Sequence, residues 1–169
     1  LPPPLNKAKS NKNPNLPNIE LAKNSKGEKY SVKPFQKIPI NHMITVPNTA
    51  NFSIPGSGKT LMTLSSFNIL KNQNKIVQMW VIGPIASFKA WETDYEKLFD
   101  KSISKNTLRY KGSVDERKRL TSQIKDKDII ITSYGTASND IELIKKIWKN
   151  NDKKILLVLD ESHHIKSFE

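Results

Sequence analysis

The chain has 169 residues, with 28 Lys+Arg against 16 Asp+Glu, a formal net charge of +12, and no cysteine. That length suits one domain of ordinary size; the missing cysteine excludes a disulfide framework and a thiolate metal site and fits a reducing compartment. No apolar run approaches the ~20 residues that span a bilayer, and Leu1 to Leu5 is too short and proline-rich for a signal peptide, so the expectation is an intracellular protein, cytoplasmic rather than nuclear, with no membrane partner and a basic surface suited to a polyanion.

Residues 1–33 hold five prolines, seven lysines and only two acids, with little apolar periodicity. This composition reads as a flexible basic arm, either a nucleic-acid contact or a solvated linker. From Pro34 onward the pattern becomes regular. Residues 50–54 predict a short strand, 55–58 a turn, and 59–71 a helix. Residues 76–82 (IVQMWVI) form a buried-strand run. Phe88, Trp91, Tyr95 and Leu98 fall at helical spacing. Residues 108–110 predict a short strand and 115–125 a charged helix. DIIIT at 128–132 predicts another strand. Ala137, Ile141, Ile144 and Trp148 predict the apolar face of one helix. ILLVL at 155–159 is the last strand.

Strands alternating with helices argue for an α/β protein built on a mostly parallel sheet. Runs that are apolar on both faces fit strands covered by helices on each side. The chain ends ten residues after Leu159, so the sheet is expected to be cut short.

The strongest motif is Ser53-Ile-Pro55-Gly56-Ser57-Gly58-Lys59-Thr60, placed between an expected strand and an expected helix. Gly56 and Gly58 permit backbone turns that a side chain would block. Successive N–H groups from Pro55 to Thr60, apart from the proline itself, can then surround a phosphate. The helix beginning at Lys59 adds its positive end. The Lys59 ammonium would reach the β and γ phosphates of a nucleotide, and the Thr60 hydroxyl would hold Mg²⁺. The strict pattern has glycine where Ser53 stands.

Residues 156–161 (LLVLDE) form an apolar strand that delivers Asp160 and Glu161 at its C-terminal end. Open α/β sheets bind ligands at that edge. Asp160 can hold Mg²⁺ through water, and Glu161 can orient and deprotonate the water that attacks the γ phosphate. Two solvated acids ending a strand would look the same. The phosphate loop 101 residues upstream favours the joint reading, in which Lys59, Asp160 and Glu161 carry the chemistry and ATP and Mg are the cofactors.

With these motifs in hand, the sequence resembles the first motor lobe of superfamily-two helicase-like ATPases, and most of all the Swi/Snf-type branch. Ser53 to Thr60 resembles motif I, and Asp160-Glu161-Ser162-His163 resembles the DExH box, with Ile165-Lys166-Ser167 as its continuation. Val81 to Pro84, followed by Trp91 and Glu92, resembles motif Ia and the helix after it. Tyr110 to Ser113 with Glu116 and Arg117, and Ile130 to Tyr134, resemble later stretches of that branch. Phe35-Gln36 stands where the family has an aromatic-Gln pair whose glutamine reads adenine.

The resemblance covers residues 34–169. It implies a P-loop NTPase of RecA-like fold, ATP hydrolysis with Mg, and movement along nucleic acid, usually duplex DNA. It also implies a second RecA-like lobe as partner, which supplies arginine fingers. Because the sequence reaches only motif II, the expectation is an incomplete first lobe that turns over ATP poorly by itself. The family contacts nucleic acid near Pro84, Lys89, Thr132 and Ser133, although each would pass equally for a solvated loop residue.

Several residues keep plainer readings. Gln36 could be a solvated residue of a first helix. His163 and His164 are adjacent and point in different directions, so neither is expected to ligate a metal. His42 reads as a surface or packing histidine. Trp80, Trp91 and Trp148 lie in apolar periodic contexts and read as core before base-stacking groups. The lysines from Lys125 to Lys154 read as a solvated face that would still attract DNA weakly. Two other function classes compete: a nucleotide-binding adaptor of a larger defence, restriction or remodelling complex, and a P-loop kinase. The kinase lacks an arginine-rich lid.

Overall fold

The computed structural model describes residues 16, 30–51, 53–54, 56–99, 103–149 and 154–162. The elements run α1 (Pro34–Thr45), α2 (Lys59–Asn72), β1 (Gln78–Ile82), a 3-10 turn (Ile85–Ser87), α3 (Phe88–Phe99), α4 (Ile103–Asn106), β2 (Thr107–Arg109), α5 (Val114–Ile124), β3 (Ile129–Thr132), α6 (Tyr134–Asn139), α7 (Ile141–Lys149) and β4 (Ile155–Leu159). The strands form one sheet in the order β2-β3-β1-β4. Every pairing is parallel, with Trp80 beside Ile130 on one flank and Leu157 on the other. All four C-terminal strand ends therefore share one edge.

Alternation along the strands builds two separate cores. Met79, Val81, Ile129 and Ile131 face α2 and α3, where Leu64, Phe67, Phe88, Trp91, Tyr95 and Leu98 close the first core. Trp80, Ile82 and Ile130 face the other way, against Ile124, Ala137 and Ile144 of α5, α6 and α7. Trp80 meets Trp148 edge-on at 5.5 Å between ring centroids, an arrangement worth about 1 kcal/mol beyond area burial. The helix α1 packs on the outside of α2 through Ile40, Met62 and Ile69. Tyr30 and Val32 pack against the first core and Leu16 against this third cluster. Of the expected basic arm, residues 1–15 and 17–29 lie outside the described residues.

Local chemistry explains the boundaries. Ser113 caps α5 by accepting from the Glu116 N–H at 3.3 Å, while the Glu116 carboxylate accepts from the Ser113 N–H at 2.6 Å, a reciprocal capping box. Gln78 is a buried polar residue whose amide is satisfied at both ends. It donates to Ile124 O and Lys127 O and accepts from the Trp80 indole at 2.8 Å.

Two expectations are corrected. The strand expected at 50–54 is not seen among its described residues, 50, 51, 53 and 54. Asn51 turns back instead, its side-chain oxygen accepting from the Ser53 N–H and hydroxyl, a local bond that competes with a sheet ladder. The expected single helix through Ala137 and Trp148 is two helices. The break is at Asp140, which leaves helical geometry and accepts from Tyr110 Oη at 2.7 Å and from the Arg117 fork at 2.6 and 2.9 Å. Ala137 and Ile144 stay buried, but Ile141 beside the break is 40% exposed.

Candidate active site

The expected phosphate loop sits at the start of α2. Gly56 and Gly58 have φ of 78° and 85°, the left-handed region that costs other residues energy. A Cβ on Gly58 would also stand 2.7 Å from Gln36 Nε2. Gly58 is the N-cap of α2 and offers no side chain, so the first-turn N–H groups have no side-chain cap. Such an uncapped N-terminus is a favourable position for an anion. The Ser57 N–H is engaged in the turn, donating to Ile54 O at 3.2 Å. Pro55 lies outside the described residues.

Gln36 is buried, 5% exposed. Its Oε1 accepts from the Lys33 N–H at 3.0 Å and its Nε2 donates to Ser57 O at 2.9 Å. With one hydrogen bond at each end of its amide, Gln36 ties α1 to the Gly56–Gly58 turn.

At the C-terminal end of β4, Asp160 is held at three points. Its N–H donates to Ile82 O at 2.8 Å. Its carbonyl accepts from Tyr134 Oη at 2.8 Å. Its Oδ2 accepts from the Trp91 indole N–H at 2.8 Å. Burial, followed by the nearby negative charges of Asp160 and Glu161, raises the Tyr134 hydroxyl above its usual range, which keeps it a neutral donor. Glu161 follows with φ of 52°. A non-glycine residue in that region is uncommon, and such strain gathers at functional sites.

Lys59, Thr60, Asp160 and Glu161 meet in one cleft of about 670 Å³, within the range of small-molecule sites. Its wall also includes Thr63 and Ser66 from α2, residues 47–51, Trp91, and β4 itself. Gln36 and Gly56 to Gly58 are not part of that wall. Sequence reasoning missed Thr63, Ser66 and the indole of Trp91. Thr63 carried a findable signal, since it lies one helical turn from Thr60.

The expected nucleic-acid residues also sit at the C-terminal strand edge. Lys89 is exposed and Pro84 partly so. Ser133 caps α6, accepting from the Thr136 N–H at 3.1 Å. Thr132 is fully buried and its hydroxyl donates to Tyr110 O at 2.8 Å, so it offers nothing to a phosphodiester. His42 is exposed, and His163 to Ser167 lie outside the described residues. Among the described residues no cluster of His, Cys, Asp and Glu could hold a metal unaided, and no helix is long and apolar enough to cross a membrane.

The SNF2-related domain family matches residues 54–169. The chain belongs to this family. Nuclear protein STH1/NPS1 of Saccharomyces cerevisiae is 30% identical over 116 residues, which is 66% of this chain and 8% of that protein. ATP-dependent helicase brm of Drosophila melanogaster is 27% identical over 116 residues, 66% of this chain and 6% of its own length. ATP-dependent DNA helicase DDM1 of Arabidopsis thaliana is 30% identical over 120 residues, covering 66% and 14%. This SNF2-related chain thus spans only a small part of such relatives. Among solved structures, the Sulfolobus solfataricus SWI2/SNF2 ATPase core domain superposes with a TM-score of 0.59 at 24% identity, over 83% of this chain and 27% of that one. The same core in complex with dsDNA gives 0.50 at 22% identity, over 77% and 32%. The fold is therefore the RecA-like α/β fold of the SWI2/SNF2 ATPase core, and the family places the chain in the N-terminal lobe.

Proposed function

We propose that this chain is the ATP-binding part of the first lobe of a DNA-dependent ATPase, a translocase that hydrolyses ATP with Mg to move on duplex DNA once joined to a second RecA-like lobe. The observation that carries the reading is the meeting of Lys59 and Thr60 with Asp160 and Glu161 in one cleft, although 101 residues separate Lys59 from Asp160. The lobe boundaries proposed are 34–169, preceded by a basic arm. Action on DNA accords with the printed name of one relative, an ATP-dependent DNA helicase.

In this reading the N-terminus of α2 and the backbone N–H groups of Gly56 and Gly58 receive the phosphates, and Lys59 neutralises the β and γ groups. The residues present fit Mg. Thr60 and Asp160 are oxygen donors on the same cleft, and among the described residues Asp160 Oδ1 receives no hydrogen bond. Mg²⁺ keeps several waters and takes one or two protein ligands beside the phosphates, so it needs no larger acidic cluster than the described residues offer. Bound there, the metal would neutralise charge on the transferring phosphoryl group. Glu161, strained and exposed beside Asp160, orients the attacking water and takes its proton. Pro84, Lys89 and Ser133 line the edge proposed to face DNA, with Thr132 as buried support. Gln36 acts first on the phosphate loop through Ser57 O.

The test joins binding with turnover. The chain should bind ADP with Mg measurably by calorimetry, and Lys59→Ala should abolish that binding. With a second lobe supplied, duplex DNA should stimulate phosphate release, and Glu161→Gln should remove it. Nucleotide binding without turnover in the two-lobed protein would instead favour an adaptor role. Full turnover in a Lys59→Ala, Glu161→Gln double variant would overturn the assignment.

A further inference from the structure

We infer that Trp91 is the positioning residue for Asp160: its indole N–H holds one carboxylate oxygen so that the other faces the nucleotide cleft. The inference rests on the proposed nucleotide site and goes beyond it, because Trp91 belongs to neither the phosphate loop nor the acidic strand end.

The geometry is specific. Trp91 is 4% exposed, with its ring in the first core among Leu64, Phe88 and Tyr95. A buried indole N–H needs an acceptor. Here the acceptor is Asp160 Oδ2 at 2.8 Å, a charge-assisted bond stronger than one to a neutral group. Gly83 makes room for this rotamer. A Cβ at Gly83 would stand 2.9 Å from Asp160 Cβ and 3.4 Å from Oδ2. The backbone of Asp160 is clamped by Ile82 O and Tyr134 Oη. With main chain and Oδ2 both held, the carboxylate loses its freedom to rotate, and Oδ1 is the oxygen left for the cleft. Groups that orient a metal-binding carboxylate in this way typically change metal affinity 10- to 100-fold when removed.

The three indoles supply a direct readout. Trp80 donates to the neutral Gln78 Oε1, Trp148 Nε1 has no partner among the described residues, and only Trp91 donates to a carboxylate. In the ¹⁵N–¹H spectrum of the chain, Trp91→Phe assigns the Trp91 indole signal by its loss. Asp160→Asn, which replaces the charged acceptor by an amide, should then move that signal while leaving those of Trp80 and Trp148 in place. An unmoved Trp91 signal overturns the inference. In calorimetry, Trp91→Phe keeps the apolar ring and should retain ADP binding without metal, but the gain from added Mg should fall about 10- to 100-fold. An unchanged Mg gain also overturns it. If the native chain binds no ADP at all, the proposed nucleotide site fails, and the indole signal alone decides whether Trp91 holds Asp160.

Discussion

Two aspartates stand at opposite edges of the same parallel sheet, and one helix serves both. Asp128 precedes β3 and receives Tyr95 Oη on Oδ2 at 2.6 Å and the Lys71 ammonium on Oδ1. Asp160 follows β4 and receives Trp91 on Oδ2 alone. Trp91 and Tyr95 are one turn apart on α3, so they share a face. At the N-terminal edge both carboxylate oxygens are occupied by this chain, and burial together with the Asp128 bond drives the Tyr95 hydroxyl far above its usual range. At the C-terminal edge one oxygen remains for a ligand, and the next residue is strained. A saturated carboxylate stabilises a fold, whereas a half-saturated one beside a cleft is available for chemistry.

Exchanging the two roles is the sharpest way to break this contrast. Asp160→Asn should lower DNA-stimulated turnover of the two-lobed protein on the order of 10³-fold while moving the thermal midpoint little, as steady-state phosphate release and calorimetry would show. Asp128→Ala should do the reverse. It leaves Tyr95 and Lys71 without their shared acceptor and should cost about 3 kcal/mol of stability, roughly 6–12 °C for a chain of this size, with ADP affinity unchanged. If Asp128→Ala abolished ADP binding in a folded chain, the division between the two edges would be wrong.

Asp140 adds a third carboxylate, saturated like Asp128. The Arg117 hydrogen bonds hold its pKa below the usual carboxylate range despite partial burial, while burial and the Asp140 bond push the Tyr110 hydroxyl up to about 12. A group whose pKa is depressed by folding stabilises above its unfolded pKa, near 3.9, and loses that contribution as pH falls through the folded value. Urea midpoints should therefore separate the native chain from Asp140→Asn by about 2 kcal/mol at pH 7, and the gap should close below about pH 4. A gap that stayed constant down to pH 3 would show that the Arg117 pair does not lower the Asp140 pKa on folding. The smallest effect is expected at the cap of α5: Ser113→Ala should cost about 1 kcal/mol, visible in the thermal midpoint and absent from nucleotide binding.

Much of the fold was legible because its strands are apolar on both faces and its helices carry one apolar stripe. QMWVI and IIIT are strands buried throughout, and Phe88, Trp91, Tyr95 and Leu98 share a helix face; ILLVL is a strand too, but its expected cover on both faces is corrected, since β4 ends the sheet and leaves Leu157 44% and Leu159 47% exposed. The segment at 50–54 misled because its short apolar-polar alternation is weaker than the local bonds from Asn51. The break at Asp140 was hidden because its partners, Tyr110 and Arg117, lie 30 and 23 residues away. Trp91 was legible as a core residue but not as a neighbour of the site, since periodicity reports where a ring is buried and not what its N–H meets.

The sequence by itself determined the α/β alternation, the glycines that free the phosphate loop, and the residue types at both ends of the candidate site. Backbone conformational limits and hydrophobic periodicity are local properties, so a single strand of text records them. Only the tertiary structure decided that Lys59 and Asp160 share a cleft, that Gln36 grips the loop, and that an indole from a third element orients the aspartate. Those are contacts between segments far apart in the chain, and they exist only once the sheet has brought its C-terminal ends to one edge.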